Sequence, residues 1–162
     1  MQTKVKTIEE LRPLLALLRA TGKKIVFTNG CFDLIHTGHT RYLSLARSFG
    51  DLLVVAVNSD ASVRGIKGDK RPINAQTERA ETLAALGSVD FVTIFDEPNV
   101  ERILRTLRPD VHAKGSDYTK ETVPERETVL ACGGRIAISG GPKIRSASEV
   151  IPRVVARMKA VR

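Results

Sequence analysis

The chain has 162 residues, of which 42% are apolar, and this is the usual size of a single domain with its own core. Its formal charge of +8 favours an anionic partner such as a nucleotide, a nucleic acid, an acidic membrane or a phosphorylated metabolite. Two cysteines exclude a disulfide framework, and no apolar run approaches the ~18 residues of a membrane span, so we expect one cytoplasmic domain over residues 1–162.

The first predicted element is a helix that begins near the segment Thr7-Ile8-Glu9-Glu10, which has the spacing of a capping box. A strand is expected next, over Ile25–Thr28. A second helix is predicted to begin around Gly38 and His39. It carries an apolar stripe at helical spacing, formed by Tyr42, Leu45, Ala46 and Phe49.

The rest of the chain continues to alternate strands with helices. The expected strands are Leu52–Asn58, Phe91–Phe95, Val111–Lys114 and Arg135–Ile138. Helices are predicted over Asn99–Leu107 and at the carboxyl end, where Pro152 should lie near the first turn beside a stripe of Ile151, Val154, Val155 and Met158. Most strands are continuous apolar runs, so both of their faces should be buried. The pattern predicts an α/β fold: a doubly wound, Rossmann-like parallel sheet with helices on both faces.

In such sheets a ligand lies beyond the carboxyl ends of the strands, where the strand order reverses. Three loops are therefore candidates: residues 29–39, 59–72 and 115–118. The middle loop contains four cations and two glycines, which indicates either a closing lid over phosphates or an ordinary solvated surface. The cations are Arg64, Lys67, Lys70 and Arg71, and the glycines are Gly65 and Gly68.

The first loop carries the most informative pattern. Gly30 lets the backbone approach a ligand, and the following helix directs its positive end to the same place, which suits a phosphate. His36 and His39 add donors that can stabilise charge on a phosphorus centre. A zinc site formed by Cys31 and the two histidines remains open, although the spacing of these ligands is unusual. Asp33 could either cap the turn or contact a metal or an acceptor hydroxyl. His112, inside a predicted strand, is expected to be structural.

Competing phosphate motifs are absent from the sequence. Its 12 glycines form neither the G-x-x-x-x-G-K-[ST] loop nor the G-x-G-x-x-G turn. P-loop and dinucleotide-binding functions are therefore disfavoured.

The segment His36-Thr37-Gly38-His39 resembles the HxGH signature of the cytidylyltransferase-like nucleotidyltransferase superfamily. A longer ordered set, spanning about residues 24–155, looks like the adenylyltransferase module of bacterial ADP-heptose synthesis. The set consists of Thr28-Asn29-Gly30-Cys31-Phe32-Asp33, Val57-Asn58-Ser59-Asp60, Lys67-Gly68, Arg71-Pro72-Ile73-Asn74, Arg79 and Lys114-Gly115-Ser116-Asp117-Tyr118. The resemblance implies transfer of AMP from ATP, with Mg²⁺, to D-glycero-D-manno-heptose 1-phosphate, and a homodimer.

The resemblance also implies roles for individual residues. His36 and His39 would be catalytic, through contacts at the α-phosphate, and no residue is assigned to a metal. The implied nucleotide contacts are Thr28, Asn29, Gly30, Cys31, Phe32, Gly115, Asp117, Tyr118, Ser146 and Ser148. The implied acceptor or phosphate contacts are Asp33, Lys67, Arg71 and Arg79, of which Arg79 could instead lie on the polar face of its helix.

The sequence departs from that family in three ways. It contains no sugar kinase, it has Ser146-Ala147-Ser148 where a second hydroxyl residue is usual, and Lys143-Ile144-Arg145 is unusually basic. Other acceptors therefore stay open on the same fold: glycerol 3-phosphate with CTP, or flavin mononucleotide with ATP. A basic RNA-binding module is a more distant alternative, because 4% aromatic content with no Trp gives RNA bases little to stack on. We therefore expect small-molecule substrates and neither nucleic acid nor membrane as a partner.

Overall fold

The computed structural model describes residues 4–140 and 147–159, with the side chains of all of these except residues 147–150 and 159. This part of the chain contains five strands and seven helices in alternation. The strands are β1 Ile25–Gly30, β2 Leu52–Asn58, β3 Phe91–Phe95, β4 Val111–Gly115 and β5 Arg135–Ser139. The helices are α1 Ile8–Ala20, α2 Thr37–Arg47, α3 Asp60–Lys67, α4 Gln76–Ala84, α5 Glu101–Leu107, α6 Arg126–Ala131 and α7 Ala147–Lys159.

The five strands form one parallel sheet in the order β3-β2-β1-β4-β5. Strand β1 is central, with Val26 opposite Leu53 on one side and Val111 on the other. The chain leaves β1 in one direction to form β2 and β3, and it then returns to place β4 on the opposite side of β1. The strand order thus reverses between β1 and β4, which is where parallel sheets bind their ligands. The predicted fold class is confirmed.

Helices cover both faces of the sheet because the strands are apolar on both faces. Phe27 packs with α1 and α5 on one face, whereas its neighbour Val26 packs with α2 and α4 on the other. Neither side chain is exposed to solvent. Burial on both sides explains why these strands are continuous apolar runs in the sequence.

The amino-terminal stretch runs along the outer edge of the sheet before α1 begins. Val5 forms a parallel bridge with Val92 of β3, and the Lys6 amide donates to the Val92 carbonyl oxygen at 2.9 Å. Thr7 then caps α1: its hydroxyl accepts from the Glu10 amide, and the Glu10 carboxylate accepts from the Thr7 amide. The predicted capping box is confirmed.

Two predicted apolar stripes differ from the structure. In α2, Leu45 is 43% exposed, whereas Leu43 and Ala46 are fully buried, so the buried face is centred elsewhere on the helix. In α7, Pro152 is the sixth residue of the helix rather than a residue of its first turn. The stripe of α7 is also exposed, by 45% at Val155 and 67% at Met158. Periodicity identified both helices, but it did not identify the neighbours that cover them.

None of the helices in the described ranges is long and apolar enough to cross a membrane.

Candidate functional site

The turn between β1 and α2 lies at the carboxyl edge of the central strand, beside the crevice. His36 is the N-cap residue of α2, and its side chain makes no capping hydrogen bond to the first turn. The helix begins at Thr37. Its first backbone hydrogen bonds run from the His39 and Thr40 amides to the His36 carbonyl oxygen. An amino-terminal turn without a side-chain cap keeps its positive end available for an anion.

The two imidazoles of this turn are brought together. The rings of His36 and His39 stack with their centroids 3.9 Å apart and their planes inclined by 22°. Phe32 packs edge-on against His39 at 5.4 Å. Burial, followed by the nearby His36 and Lys67, lowers the pKa of His39 to about 4. His39 is therefore neutral near pH 7 and can donate a hydrogen bond without carrying a charge of its own.

Gly30 leaves room within the turn for the Phe32 ring. Phe32 has a φ of 45°, which places its ring against Gly30. A Cβ at position 30 would lie 3.0 Å from that ring. Gly30 thus makes room for Phe32, which in turn contacts His39, in addition to the ligand approach expected from the sequence.

Asp33 ties this turn to the segment 71–74. The carboxylate is 6% exposed, and it accepts from Arg71 Nη1 at 2.6 Å and from the Ile73 and Asn74 amides. Burial opposes ionisation, but the hydrogen bonds from Asn74, Ile73 and Arg71 outweigh it and hold the pKa of Asp33 below its ordinary value. In this arrangement Asp33 supports the site by holding the segment, and its oxygens are occupied by these donors.

Arg79 is buried, with 1% exposure, and does not lie on the polar face of α4. Its guanidinium donates to the carbonyl oxygens of Cys31, Asn58 and Asn74 at 2.5, 2.7 and 3.1 Å. Its Nη2 also pairs with Asp60 at 2.9 Å. The fixed fork of an arginine suits this arrangement, because one side chain joins three separate backbone stretches.

The basic segment is partly helical, contrary to the flexible loop expected from its glycines. Residues from Asp60 to Lys67 form α3, which Ser59 caps by accepting from the Ser62 amide at 3.1 Å. The loop begins only at Gly68, which has a φ of 88°. Lys67 is exposed at the end of α3 and close enough to lower the pKa of His39. It is therefore placed to meet a phosphate at the imidazoles.

The other side of the crevice is formed by the end of β4. Gly115 is partly exposed there, and Asp117 and Tyr118 are exposed just beyond it. The Lys114 ammonium lies 5.5 Å from the centre of the Tyr118 ring. Asn29 faces this strand from β1, whereas the Thr28 side chain is fully buried. Ser146 and the side chain of Ser148 lie outside the described residues.

The Thr28 hydroxyl has a structural partner. Tyr42 donates its phenolic hydrogen to the Ala113 carbonyl oxygen at 3.1 Å, so Thr28, 2.5 Å from the same phenol oxygen, is the donor to it. Burial raises the pKa of Tyr42 to about 12. The contact joins β1, β4 and α2 beneath the crevice.

A second concave region lies at the outer edge strand. A cavity of about 470 Å³ is formed where the start of α1 meets the end of β3. Its lining includes four carboxylates, Glu9, Glu10, Asp96 and Glu97, against two cations, Lys6 and Arg102. This excess of negative charge disfavours a polyphosphate, so we place the candidate anion site at the histidine turn.

Three residues that support the site had no role assigned to them from the sequence. Asn58 and Asp60, which appeared there only as part of a motif, bond to Arg79, and Glu125 bonds to Lys114. Asn58 directly ends a predicted strand, and this position could have indicated its importance. Among the described residues no three His, Cys, Asp or Glu side chains are grouped to hold a metal ion.

Comparison with known proteins gives a family. A family model described as "Cytidylyltransferase-like" matches residues 27–139. The chain is 49% identical over 152 residues to the "Bifunctional protein HldE" of Geobacter sulfurreducens, covering 94% of this chain and 31% of that protein. The chain thus spans about a third of the length of the curated relatives it matches.

Solved structures agree with this result. The lipopolysaccharide core biosynthesis protein from Thermoplasma volcanium has a TM-score of 0.61 and 28% identity, over 72% of this chain and 94% of that one. Pantoate-beta-alanine ligase from Francisella tularensis shares the fold, with a TM-score of 0.61 and 15% identity over 89% of this chain and 68% of that one. Because the family match extends over most of the sheet and the histidine turn, the chain belongs to the cytidylyltransferase-like family.

Proposed function

We propose that the chain transfers AMP from ATP to D-glycero-D-manno-heptose 1-phosphate, giving an ADP-heptose and pyrophosphate. The observation that carries the proposal is the stacked pair His36 and His39 at the uncapped start of α2, with Lys67 beside it. The ordered motifs that resemble the adenylyltransferase module support the choice of nucleotide and sugar. The similarity to the relatives named "Bifunctional protein HldE" and to a lipopolysaccharide core biosynthesis protein supports the same choice.

The chemistry requires little from a base. A phosphate monoester has a second pKa near 6 and is largely dianionic at neutral pH, so the acceptor oxygen is already nucleophilic. The protein has to hold this oxygen in line with the α-phosphorus and the leaving pyrophosphate. The bond from the acceptor oxygen to phosphorus forms as the bond to the pyrophosphate oxygen breaks, and no net proton transfer is needed.

The residues of the turn supply charge stabilisation. Neutral His39 donates a hydrogen bond to an α-phosphate oxygen as negative charge builds on it, and His36 acts beside it. The helix start binds the same group, and Lys67 meets the outer phosphates. Mg²⁺ would enter together with ATP and would neutralise part of the phosphate charge, and no residue of the chain is assigned to it.

The remaining roles are extensions of the same proposal. Asn29 to Phe32 form the floor of the nucleotide site above the fully buried Thr28, with Gly115, Asp117 and Tyr118 at the nucleoside edge. Ser146 and Ser148 would contact the outer phosphates, and Arg71 would bind the acceptor phosphate while Asp33 and Arg79 fix its surroundings. We expect a cytoplasmic homodimer to which a kinase reaction supplies the sugar phosphate.

Product analysis tests this function. ATP, CTP and GTP are each incubated with Mg²⁺ and with heptose 1-phosphate anomers, glycerol 3-phosphate or flavin mononucleotide, and the products are identified by mass spectrometry. We expect ADP-heptose and pyrophosphate from ATP alone. CDP-glycerol or FAD would replace the proposed acceptor, and tight, salt-dependent RNA binding without any product would remove the enzyme function altogether.

Substitution of the imidazoles connects the activity to the turn. His36→Ala and His39→Ala should each lower kcat by ~10²-fold or more while changing the Kd for ATP less, because the lost contacts strengthen in the transition state. Lys120→Ala, which removes an exposed side chain far from the turn in sequence, is the control. Unchanged turnover in folded histidine variants would contradict the assigned roles.

A further inference from the structure

A buried polar cluster lies where the strand order reverses, between β1 and β4. It consists of Asn29, His112, Lys114 and Glu125. His112 is fully buried, and Lys114 and Glu125 are each 7% exposed. The Lys114 ammonium lies 3.0 Å from Asn29 Oδ1 and 3.2 Å from Glu125 Oε1, and His112 Nε2 lies 3.2 Å from the same Asn29 oxygen.

The chemistry of these groups fixes the orientation of the Asn29 amide. An ammonium group has donors and no acceptor, so the Asn29 atom beside Lys114 must be the oxygen. Because that oxygen can only accept, His112 must carry its hydrogen on Nε2. Two donors thus hold one acceptor in place. Glu125 balances the charge of Lys114, so the cluster has little net charge. Its effect is to orient the Asn29 amide.

His112 carries a cost that an apolar core residue would avoid. Its Nδ1 is buried, and no hydrogen-bond partner is found for it among the described residues. An unsatisfied polar atom in the interior is destabilising. The expectation that His112 is merely structural leaves this cost unexplained, whereas a histidine kept for its Nε2 donor explains it.

We propose that His112 and Lys114 are positioning residues that turn the Asn29 amide nitrogen toward the crevice, where it donates to an oxygen of the bound nucleotide. Asn29 is next to the last residue of β1 and partly exposed, so with its oxygen held inside the cluster its nitrogen is the amide atom left to meet a ligand. The inference rests on the proposed function only in placing a nucleotide in the crevice.

A pair of substitutions at position 112 tests the inference by ATP binding. His112→Gln can place an amide N–H near the former Nε2, whereas His112→Phe keeps a ring and removes the donor. For His112→Gln we expect a Kd for ATP within about twofold of the wild-type value. For His112→Phe we expect a Kd about tenfold higher, as for the loss of one well-oriented hydrogen bond. Because Phe is larger than His at this fully buried position, the unfolding free energy of both variants is measured as well, and ATP affinities are compared under conditions where each variant is folded.

The side-chain amide of Asn29 gives a direct second measurement. Its ¹⁵N–¹H signals, identified by their loss in Asn29→Asp, should move when ATP is added to the wild type and move less in His112→Phe. Lys114→Met should reduce the movement, whereas Lys120→Met, at an exposed lysine, should not. Equal ATP affinity of the Phe and Gln variants, or Asn29 signals that stay fixed while signals of the histidine turn move, would overturn the proposal.

The two proposals fail separately. If the protein binds ATP but forms no product with heptose phosphates, the proposed function is wrong, and the comparison of His112→Phe with His112→Gln still decides the role of the cluster. If the wild type does not bind ATP at all, both are wrong.

Discussion

His112 and His39 are imidazoles that the fold keeps neutral, since burial lowers their pKa values to about 3 and about 4. In the unfolded chain an imidazole takes up a proton near pH 6.5. Below that pH the unfolded state binds more protons than the folded state, so stability falls as the pH falls until the folded pKa is reached. The two residues therefore make the protein sensitive to mild acid.

This sensitivity is measurable by urea unfolding at pH 7.5, 6.5 and 5.5. For the buried His112 we expect the free energy of unfolding to fall by up to about 1.4 kcal/mol per pH unit below pH 6.5. His39 is more exposed and should contribute less. His112→Gln, which cannot titrate, should show a shallower fall than the wild type between pH 6.5 and 5.5. Parallel curves for the two proteins would contradict the buried, neutral state of His112.

The geometry of the candidate site depends on Arg79, whose guanidinium joins three backbone stretches. Arg79→Lys keeps the charge but cannot reach the Cys31, Asn58 and Asn74 carbonyl oxygens together. We expect a loss of about 3 kcal/mol in unfolding free energy, as for other changes that break a buried charge network. Arg64→Lys, at an exposed position of α3, should change stability by less than about 0.5 kcal/mol. If both variants unfold alike in urea, the network is unimportant.

At the scale of elements, the Asp33 carboxylate holds the loop at 68–75 through three donors, in addition to the bond from Arg79 to the Asn74 carbonyl oxygen. Asp33→Asn would exchange the acceptor oxygen that meets Arg71 or the amides for a donor, so the loop should open more readily. We expect faster hydrogen exchange at the Ile73 and Asn74 amides and faster trypsin cleavage after Lys70, because the bond after Arg71 precedes Pro72 and resists trypsin. The amides of β2 serve as an internal control and should be unchanged.

The same ion pair has a predictable response to acid. Because the pKa of Asp33 is lowered in the folded state, its contribution is present above the unfolded value near 3.8 and is lost as the pH falls toward the folded value. The Ile73 and Asn74 amides should therefore stay protected from exchange at pH 5. Their exchange rates, corrected for the intrinsic dependence on pH, should increase below pH 3.8. Protection that is constant across this range would contradict the role of Asp33.

The strands were predictable because each is a continuous apolar run bounded by turn residues. Leu52–Asn58 and Phe91–Phe95 match in full, and the others differ only at their carboxyl ends. Helices α3 and α6 were not predicted. Each is short, and α3 contains Gly65 and is held by the Ser59 cap and the buried Val63, which are tertiary features that local propensity does not report.

The site was predictable only in part, for a physical reason. His36, His39 and Asp33 could be identified because they follow one strand in a recognisable turn. Arg79 and Asn58 are 21 positions apart in the sequence and come into contact only in the folded protein. No local sequence pattern predicts such a contact. The sequence also does not show which backbone carbonyl oxygens will accept hydrogen bonds. The role of a buried donor such as Arg79 could therefore be assigned only from the structure.

At the scale of the whole molecule, the charge of +8 should affect nucleotide binding over distance. We expect the KM for ATP to rise several-fold between 50 and 300 mM KCl, because the Debye length falls below about 10 Å in that range. Lys67→Ala should show a weaker salt dependence than Lys120→Ala, since only Lys67 lies near the imidazoles. Equal slopes for the two variants would remove Lys67 from the binding site.

The short pairing of Val5 with Val92 protects a vulnerable side of the protein. Without it, the edge strand β3 would expose unpaired backbone N–H and C=O groups next to apolar side chains. Such an edge can pair with strands of other molecules. A variant that lacks residues 1–6 should therefore self-associate in a concentration-dependent manner, visible in light scattering. Six residues outside the histidine turn would then decide whether the protein stays dispersed.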